Sequence, residues 1–342
     1  MFEILEKLCN LDGTSGDEKA VRDFIIGEIK DYCEYRIDNL GNIIAFKKGK
    51  NKSAKKLKID AHMDEVGLII TSVTSEGFLK FKTVGGIDVS ALMFRNVMIN
   101  GKSNGVISGK PIHLLSSEER KKLPKEESLY IDIGADSKEE ALKHISLGDR
   151  AIVCGEYIEN GKNIISKALD DRVGCATLIK LIKEFDDYDF YASFSVQEEV
   201  GLRGAKVSAF TVNPESAIVL EGTTASDIAG VPPENTVCTL GCGVAVSFMD
   251  GATVYDREYY NFALNSGIKC QPKSAVAGGN NSGAIHLSRE GVRTVALSLP
   301  CRYIHSSSSV ANKEDAENLY ELAQYMLKGI CSGNISLKHS GF

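Results

Sequence analysis

The chain has 342 residues, of which 43% are hydrophobic and 25% are charged, and its formal net charge is -6. This composition is that of a globular protein, and the length predicts two domains. No window approaches the roughly 18 uninterrupted apolar residues of a membrane span, and the N-terminus lacks a secretion signal, so we expect no membrane partner and no export. The acidic net charge and the short basic run at 47–56 argue against a nucleic-acid partner.

The N-terminal part of the chain combines helices with short strands. Apolar residues at helical spacing predict helices over 2–9 and 17–32, and two segments at 35–38 and 43–46 predict strands joined by a turn. The segment 57–62 alternates apolar and polar residues as a strand should, and it ends on His62.

A change of pattern at residue 70 predicts a separate, β-rich region. Short strands and turns fill 70–163, with one helical stretch near 138–144. We interpret 70–163 as an inserted, small β-barrel-like domain with a role in substrate access or oligomerisation. The catalytic domain is then discontinuous, formed by 1–69 and 164–342.

After the insertion, helical and strand patterns alternate again. A helix is predicted over 172–184, and apolar strands are predicted at 188–196, 216–221 and 294–299. Alternation of this kind is typical of the α/β class. The predicted fold is therefore an α/β/α sandwich with a mixed sheet, interrupted by the β-rich insertion.

The nine cysteines show no pattern of disulfides or of a zinc site. Their number is odd and their positions are scattered, and the pair Cys238 and Cys242 has no second pair to complete a tetrahedral site. We interpret them as reduced, buried thiols, which predicts a cytoplasmic protein.

His62 and Asp64 follow a predicted strand directly, where an α/β sheet presents functional groups. His62 is a candidate metal ligand, and Asp64 is placed to accept the other imidazole N–H and to fix the tautomer. Taken alone, a histidine at a strand end is more often structural than a ligand.

Two pairs of adjacent carboxylates come next. Asp170 and Asp171 precede the helix at 172–184, where N-capping is an equal explanation. Glu198 and Glu199 follow an apolar strand, and their diverging side chains let one bind a cation while the other transfers protons. A solvated acidic turn is the simpler alternative for this second pair.

Glu221 and His305 also follow apolar strands. Two histidines and several carboxylates thus share one kind of position in a chain that has only six histidines. This pattern fits two divalent ions that share one bridging carboxylate, roughly 3.5–4 Å apart, with a water between them.

The segments that carry these residues resemble those of the M42 metallopeptidases, a family of co-catalytic aminopeptidases that includes glutamyl and deblocking aminopeptidases, with some members labelled endoglucanases. The resemblance extends nearly end to end and rests on segments 61–65, 168–172, 198–205, 220–225, 282–291 and 302–306. It implies that His62 and Glu221 hold one metal, that Glu199 and His305 hold the other, that Asp170 bridges them, and that Glu198 is the general base. It also implies a homo-oligomer, often a tetrahedral dodecamer.

The chain departs from the family pattern at three places near the site, one of them the lack of a Pro near Ser307. Many relatives have Asp where this chain has Glu221, and Asp where it has Asn281. The first change keeps a ligand, and the second removes a negative charge, which leaves the preferred N-terminal residue open. His286 is interpreted as a packed helix histidine and not as a sixth ligand.

A basic pocket would favour acidic substrates, and three cations could provide one: Lys269, Arg257 and Arg302. The expected reaction is removal of N-terminal residues from peptides. Glu198 takes a proton from the metal-bridging water and returns it to the departing amine. Zinc is the first expectation for the metal, with cobalt or manganese as alternatives.

Two other functions compete with the peptidase. A glycoside hydrolase would use paired carboxylates, but it needs no site with two histidines, and the chain has no Trp for stacking on sugars. A catalytically silent metal-binding protein would normally have lost a ligand or the base, and all six positions are present.

Overall fold

The structure is a computed structural model that describes residues 1–335, in which eight α-helices and seventeen β-strands occur. The helices are α1 (Phe2–Cys9), α2 (Lys19–Ile29), α3 (Lys138–Ala141), α4 (Leu169–Glu184), α5 (Arg203–Val212), α6 (Arg257–Leu264), α7 (Ser282–Ile285) and α8 (Lys313–Cys331). The first nine strands are β1 (Glu34–Ile37), β2 (Ile43–Lys47), β3 (Leu57–His62), β4 (Gly67–Val73), β5 (Leu79–Val84), β6 (Asn96–Ile99), β7 (Ser103–Ser108), β8 (Tyr130–Asp132) and β9 (Arg150–Val153). The others are β10 (Ile158–Asn160), β11 (Asn163–Ser166), β12 (Phe190–Ser195), β13 (Ser216–Thr224), β14 (Val244–Ser247), β15 (Cys270–Lys273), β16 (Arg293–Arg302) and β17 (Ser309–Asn312).

The large sheet has eleven strands, nine of them in the order β1-β2-β12-β3-β13-β16-β17-β11-β10, with β14 and β15 attached at β16. Its four central strands, β12, β3, β13 and β16, run parallel, and the other pairs of the nine-strand path are antiparallel. The attached strands β14 and β15 are parallel to each other. The mixed sheet of the predicted sandwich is therefore confirmed.

Both faces of this sheet are covered. On β13, Ile218 and Leu220 point into the larger core, together with apolar residues of α1, α2, α4, α6 and α8. The alternate residues Ala217 and Val219 pack with α5 and α7 in a smaller core. Because strand side chains alternate between faces, this division shows a sheet between two helical layers.

The insertion contains a closed barrel of six strands in the order β4-β5-β8-β7-β6-β9. The barrel has a core of its own, which includes Leu68, Val97 and Ile131. The β-barrel-like character of the insertion is thus confirmed. Its strands run from Gly67 to Val153, whereas β10 and β11 pair within the large sheet. The division of the chain at residues 70 and 163 stays a prediction.

Two helices differ from their predicted limits. α2 is shorter than predicted and ends at Ile29, before the turn around Asp31 and Tyr32. α4 begins at Leu169, three residues early, and its residues Asp170 and Asp171 depart from helical φ and ψ and are joined by a cis peptide bond.

All nine cysteines lie in the described residues and are free, five of them buried and Cys242 exposed. Of the helices between residues 1 and 335, none is long and apolar enough to cross a membrane.

Candidate metal centre

The predicted site residues meet because four parallel strands present them at one edge of the large sheet. β3 ends on His62, β12 ends three residues before Glu198, β13 carries Glu221 near its end, and β16 ends three residues before His305. The carboxyl ends of neighbouring parallel strands lie at the same edge, which is where α/β sheets bind ligands. Asp170 reaches this edge from the start of α4.

Asp170 lies between the two histidines. His62 Nε2 lies 3.4 Å from Asp170 Oδ1 and 3.5 Å from Glu221 Oε2. His305 Nε2 lies 3.5 Å from Asp170 Oδ2 and 3.2 Å from Glu199 Oε1. Each oxygen of Asp170 therefore faces a different histidine and a different second carboxylate, which divides the centre into two halves.

The hydrogen bonds of the two imidazoles test whether cations fit between these groups. His62 Nδ1 lies 3.1 Å from the backbone carbonyl of Asp64, and His305 Nδ1 lies 2.8 Å from the carbonyl of Gly86. A carbonyl only accepts, so each Nδ1 donates, and in a neutral imidazole Nε2 is left with a lone pair. Those lone pairs face carboxylate oxygens, an arrangement that requires a cation or a proton between them. The donor set of imidazoles and carboxylates therefore fits divalent metal ions.

The pKa values of the site residues also indicate that this centre attracts positive charge. Burial opposes the charged imidazole, but Asp170 and Asp64 raise the pKa of His62 well above its ordinary value. Against the same opposition, Asp170 and Glu199 raise the pKa of His305 to about 11. Burial raises the pKa of Glu221 well above the usual carboxyl range. The carboxylates around the two histidines therefore attract positive charge, which divalent ions would supply.

Residues with ligand atoms within 4.8 Å of one another form two groups, His62 with Asp170 and Glu199, and His62 with Asp171 and Glu221. Asp171 was not predicted as a site residue. Its Oδ2 accepts the backbone N–H of His62 at 3.0 Å and its Oδ1 accepts that of Gly174 at 3.0 Å. Since both oxygens already have backbone donors, Asp171 holds the strand end in place.

Asp64 connects the first histidine with the pair of glutamates. Its carboxylate accepts the backbone N–H groups of Glu198 at 2.9 Å and Glu199 at 3.1 Å, and the hydroxyl of Ser15 at 2.6 Å. Its Oδ1 is 3.4 Å from His62 Nδ1, farther than the backbone carbonyl of Asp64 itself. The buried carboxylate thus fixes the turn that carries the two glutamates.

Glu198 shares this site but lies outside both groups of close ligand atoms. Its removal from water, aided by the nearby Glu199 carboxylate, raises the pKa of Glu198 to about 8. The preceding residue, Gln197, has a φ of 55°, in the left-handed region that non-glycine residues rarely adopt. Such backbone conformations concentrate at functional sites, where the surrounding structure enforces them.

Gly222 allows Asp170 to approach β13 closely. Its N–H donates to Asp170 Oδ1 at 3.1 Å, and a Cβ at this position would lie 2.8 Å from Asp170 Cβ. A larger residue would therefore displace the carboxylate that lies between the two histidines.

Two cavities meet at the centre and share Asp170, Glu199 and His305. The first, of about 350 Å³, extends towards the barrel and is lined by residues such as Leu92 and Arg95. The second, of about 330 Å³, contains Glu198 and Glu221 together with residues of the segment 273–280, and its lining residues include Thr223, Thr224, Val237, Lys273, Ala275, Ala277 and Asn280. An extended ligand can therefore occupy space on both sides of the candidate metal ligands.

The three candidate cations of a basic pocket line neither cavity. They are Lys269, Arg302 and Arg257. Lys269 pairs with Glu314 at 3.2 Å on the surface, and Arg302 pairs with Asp227 at 2.7 Å. Arg257 is the first residue of α6. The imidazole of His286 lies 2.8 Å from the carbonyl of Ser282 within its own helical turn, as expected for a packed helix histidine.

A buried polar network lies beneath the centre. Lys58 and Asp60, both fully buried on β3, form an ion pair of 2.9 Å. Asp60 also accepts hydrogen bonds from Ser195 and, at 3.0 Å, from the side-chain amide of Asn281. The backbone N–H of Asn281 lies 3.4 Å from Glu221 Oε1. Asn281 therefore joins the network to a candidate ligand.

Comparison with known sequences identifies one protein family and several aminopeptidases that are similar to this chain. The sequence model of the M42 glutamyl aminopeptidase family matches residues 41–322. A putative aminopeptidase of Acetivibrio thermocellus is 39% identical and covers 97% of this chain and 98% of its own. A glutamyl aminopeptidase of Lactococcus lactis is 33% identical, covering 92% of each chain, and a lysyl aminopeptidase of Pyrococcus furiosus is 30% identical, covering 96% of each.

Solved structures agree with these relatives. An aminopeptidase from Desulfurococcus kamchatkensis superposes with a TM-score of 0.93 at 34% identity, covering 99% of this chain and 97% of its own. The TET1 peptidase of Pyrococcus horikoshii, which assembles into a tetrahedron or a large octahedral shell, has a TM-score of 0.83 at 34% identity over 95% and 98%. A Thermotoga maritima protein titled endoglucanase has a TM-score of 0.80 at 34% identity over 97% and 99%.

Proposed function

The chain belongs to the M42 peptidase family and is a metal-dependent aminopeptidase, and from this premise we propose that it removes N-terminal residues from peptides with two divalent ions and Glu198 as the general base. The observation that carries the proposal is the position of Asp170, with one carboxylate oxygen facing each histidine. A shared carboxylate of this kind is what a pair of metal ions requires.

The two halves of the centre provide two sets of ligands. His62 and Glu221 would hold one ion, Glu199 and His305 the other, and Asp170 would be shared between them. When bound, divalent ions polarise a peptide carbonyl and lower the pKa of a water molecule. Zinc suits imidazole and carboxylate ligands, and cobalt or manganese suit them as well.

Glu198 is the group that moves protons in this proposal. Its side chain lines the same cavity as Glu221. Among residues 1–335, Glu199 and Glu221 each pair closely with a candidate histidine and Glu198 does not, so Glu198 is free to act on a substrate. A pKa near neutral pH suits a carboxylate that accepts a proton from the attacking water and gives it to the departing amine. Asp64 acts through the backbone, because it holds the N–H groups of Glu198 and Glu199.

The acidic lining of the second cavity favours a substrate with a positive charge at its end. Glu198, Glu199 and Glu221 all line this cavity. The free α-ammonium group of a peptide would be attracted to these carboxylates, and an internal peptide bond has no such charge to offer. Cleavage is thereby restricted to the first residue.

The proposal is tested by metal content and by hydrolysis of aminoacyl-p-nitroanilides. Wild-type protein should contain two metal ions, and His305→Gln should contain fewer, because one ligand is lost. His286→Gln is the matched control, since among the described residues the imidazole of His286 hydrogen-bonds only to the carbonyl of Ser282 in its own helical turn, and this variant should keep the metal content and activity of wild type. Treatment with a chelator should abolish hydrolysis, and zinc, cobalt or manganese should restore it. Equal metal content in both variants would contradict the ligand assignment.

A glycoside hydrolase is the second candidate, because one structural neighbour is titled an endoglucanase. Two imidazoles among the carboxylates favour peptide hydrolysis, since sugar hydrolysis by paired carboxylates needs no metal ligands. Cellulose is therefore included as a substrate in the same assays, and no hydrolysis of it is expected.

We also propose that the protein forms a homo-oligomer, with a tetrahedral dodecamer as the expected form. The support is the tetrahedral or octahedral assembly of the TET1 peptidase and three exposed apolar residues beside the barrel, Ile112, Leu114 and Leu123, which are 71%, 59% and 77% exposed. Light scattering after gel filtration should give a mass far above the 37.1 kDa chain. Leu123→Lys should lower that mass if these residues lie in a contact, and a monomeric wild type would contradict the proposal.

A further inference from the structure

The two candidate histidines are held in different ways. His62 is the last residue of β3 and is buried, and its ring bonds to the carbonyl of Asp64, two residues further along the chain. His305 lies three residues beyond β16, in a loop where its own φ is 59°. A non-glycine residue keeps such a left-handed backbone conformation only where surrounding contacts enforce it. The orientation of the His305 ring therefore depends on its neighbours.

The neighbour that orients the His305 ring belongs to the barrel. Gly86 follows the barrel strand β5 by two residues, and its carbonyl oxygen lies 2.8 Å from His305 Nδ1. Because a carbonyl only accepts, Nδ1 donates, and Nε2 faces the carboxylates of Asp170 and Glu199. This hydrogen bond crosses from the barrel to the loop after β16. The barrel thus fixes the direction of the ring nitrogen that would bind a metal ion.

Gly85 lies close to Glu199, the other candidate ligand of the same half of the centre. Its φ is 83°, a conformation that glycine adopts without strain. A Cβ at this position would lie 2.8 Å from Val66 Cγ1 and 3.3 Å from Glu199 Cβ. A Cβ on Gly86 would lie 3.6 Å from His305 Nδ1, at an ordinary van der Waals distance. Together, the two glycines therefore bring the barrel against both His305 and Glu199.

The returning end of the insertion approaches the same loop. Gly155 follows β9, which is part of the barrel, by two residues, and a Cβ on it would lie 2.2 Å from the carbonyl oxygen of Ser307. Ser307 is buried and lies two residues after His305. Two separate segments beside the barrel thus contact the loop that carries His305. None of the five candidate metal ligands lies between β4 and β9, so the barrel acts on the centre through position alone.

On the basis of the proposed two-ion centre, we propose that Gly85 and Gly86 form a positioning element through which the barrel holds His305 and Glu199 in place for a metal ion. Ion binding in this half and docking of the barrel then depend on each other, because such coupling is reciprocal. An ion bound by His305 stabilises the docked barrel, and a displaced barrel weakens the binding of that ion. The half formed by His62 and Glu221 lacks this dependence.

The first test measures the zinc affinity of chelator-treated protein by competition with a chromophoric chelator. Gly85→Ala should weaken one of the two ions about 10- to 100-fold, as expected for the loss of a group that supports a ligand, and should change the other by less than about threefold. Adding Val66→Ala removes the methyl group nearest to the new Cβ and should restore part of the lost affinity.

Gly134→Ala is the matched control for backbone strain. Gly134 follows the barrel strand β8 and has a φ of 78°, and a Cβ there would have no residue of 1–335 within 4 Å apart from its chain neighbours. The variant introduces the same kind of strain away from the centre, so it should bind both ions as wild type does. Wild-type affinities in Gly85→Ala, or an equal loss in Gly134→Ala, would overturn the proposal.

The His305→Gln background identifies the ion that is affected. In this background, Gly85→Ala should change the affinity of the remaining ion by less than about threefold, because the half on which it acts is already lost. A larger effect on the remaining ion would mean that the two glycines do not act on the half formed by His305 and Glu199, and it would overturn the assignment.

Hydrogen exchange tests the coupling in the opposite direction. Zinc should slow the exchange of the backbone amides of 85–88 in wild type, and this effect should be much smaller in His305→Gln. Equal exchange with and without zinc would contradict the coupling while leaving the two-ion centre intact. A wild type that binds fewer than two zinc ions would overturn the proposed function and this inference with it.

Discussion

Glu198→Gln should lower kcat by about 10²- to 10⁴-fold while both metal ions stay bound. The amide has nearly the shape of the carboxylate but cannot accept the proton of the attacking water. Among residues 1–335, Glu198 does not pair with a candidate histidine as Glu199 and Glu221 do, so its replacement leaves the imidazole and carboxylate ligands in place. Steady-state kinetics with an aminoacyl-p-nitroanilide, together with metal analysis of the same sample, measures both parts of the expectation.

Glu199→Gln provides the matched comparison at the next residue. Glu199 Oε1 lies 3.2 Å from His305 Nε2. This carboxylate oxygen accepts no hydrogen bond from any group within residues 1–335. Its conversion to an amide should therefore reduce metal content as well as activity. If Glu198→Gln kept full activity, or if it lost metal as Glu199→Gln does, the division of roles between the two glutamates would be wrong.

Lys58→Met should reduce the free energy of unfolding by about 3–5 kcal/mol, because it leaves the buried carboxylate of Asp60 without its cation. The Lys58 ammonium and Asp60 Oδ1 are 2.9 Å apart, and both side chains are fully buried on β3, one of the four central strands of the sheet. Burial lowers the pKa of Lys58, whereas the neighbouring Asp60 raises it. The charged form of Lys58 therefore depends on Asp60. Denaturant titration of chelator-treated protein measures the change without a contribution from metal binding.

The double variant Lys58→Met with Asp60→Asn separates the charge from the packing. A neutral pair leaves no isolated buried charge, so part of the lost stability should return. The asparagine oxygen can still accept from Ser195. Stability equal to wild type in the single variant would show that Asp60 is neutral or solvated, and it would contradict the buried ion pair.

The proximity of the candidate site residues could be predicted where residue type and strand end coincide. His62, Glu221 and His305 follow apolar strands, and parallel strands end at one edge, so a local pattern predicted which side chains come close together. The sandwich could be predicted for the same reason, since helical and strand periodicities alternate along the chain. The bounds of α4 were harder to predict, because its first turn departs from helical geometry at Asp170 and Asp171.

The sequence does not single out residues whose role depends on neighbours that are distant along the chain. Lys273 lies in an ordinary short strand, and only the fold shows that it is buried and lines the second cavity. Lys269, four residues earlier, has the same chemistry but pairs with Glu314 on the surface. Asn281 shows the same limit, because its amide donates to Asp60, which lies 221 residues away along the chain. Long-range contacts of this kind leave no local signal in a single sequence.

The order of the ligands along the chain has a consequence for biosynthesis. The first candidate ligand is residue 62 and the last is residue 305 of 342, with the whole six-stranded barrel between His62 and Asp170. A ribosome that has made the first half of the chain has therefore produced the barrel but neither half of the centre. His305 is the last of these candidate ligands to be synthesised, so the half of the centre that it forms with Glu199 can be completed only after His62, Asp170 and Glu221 have been made.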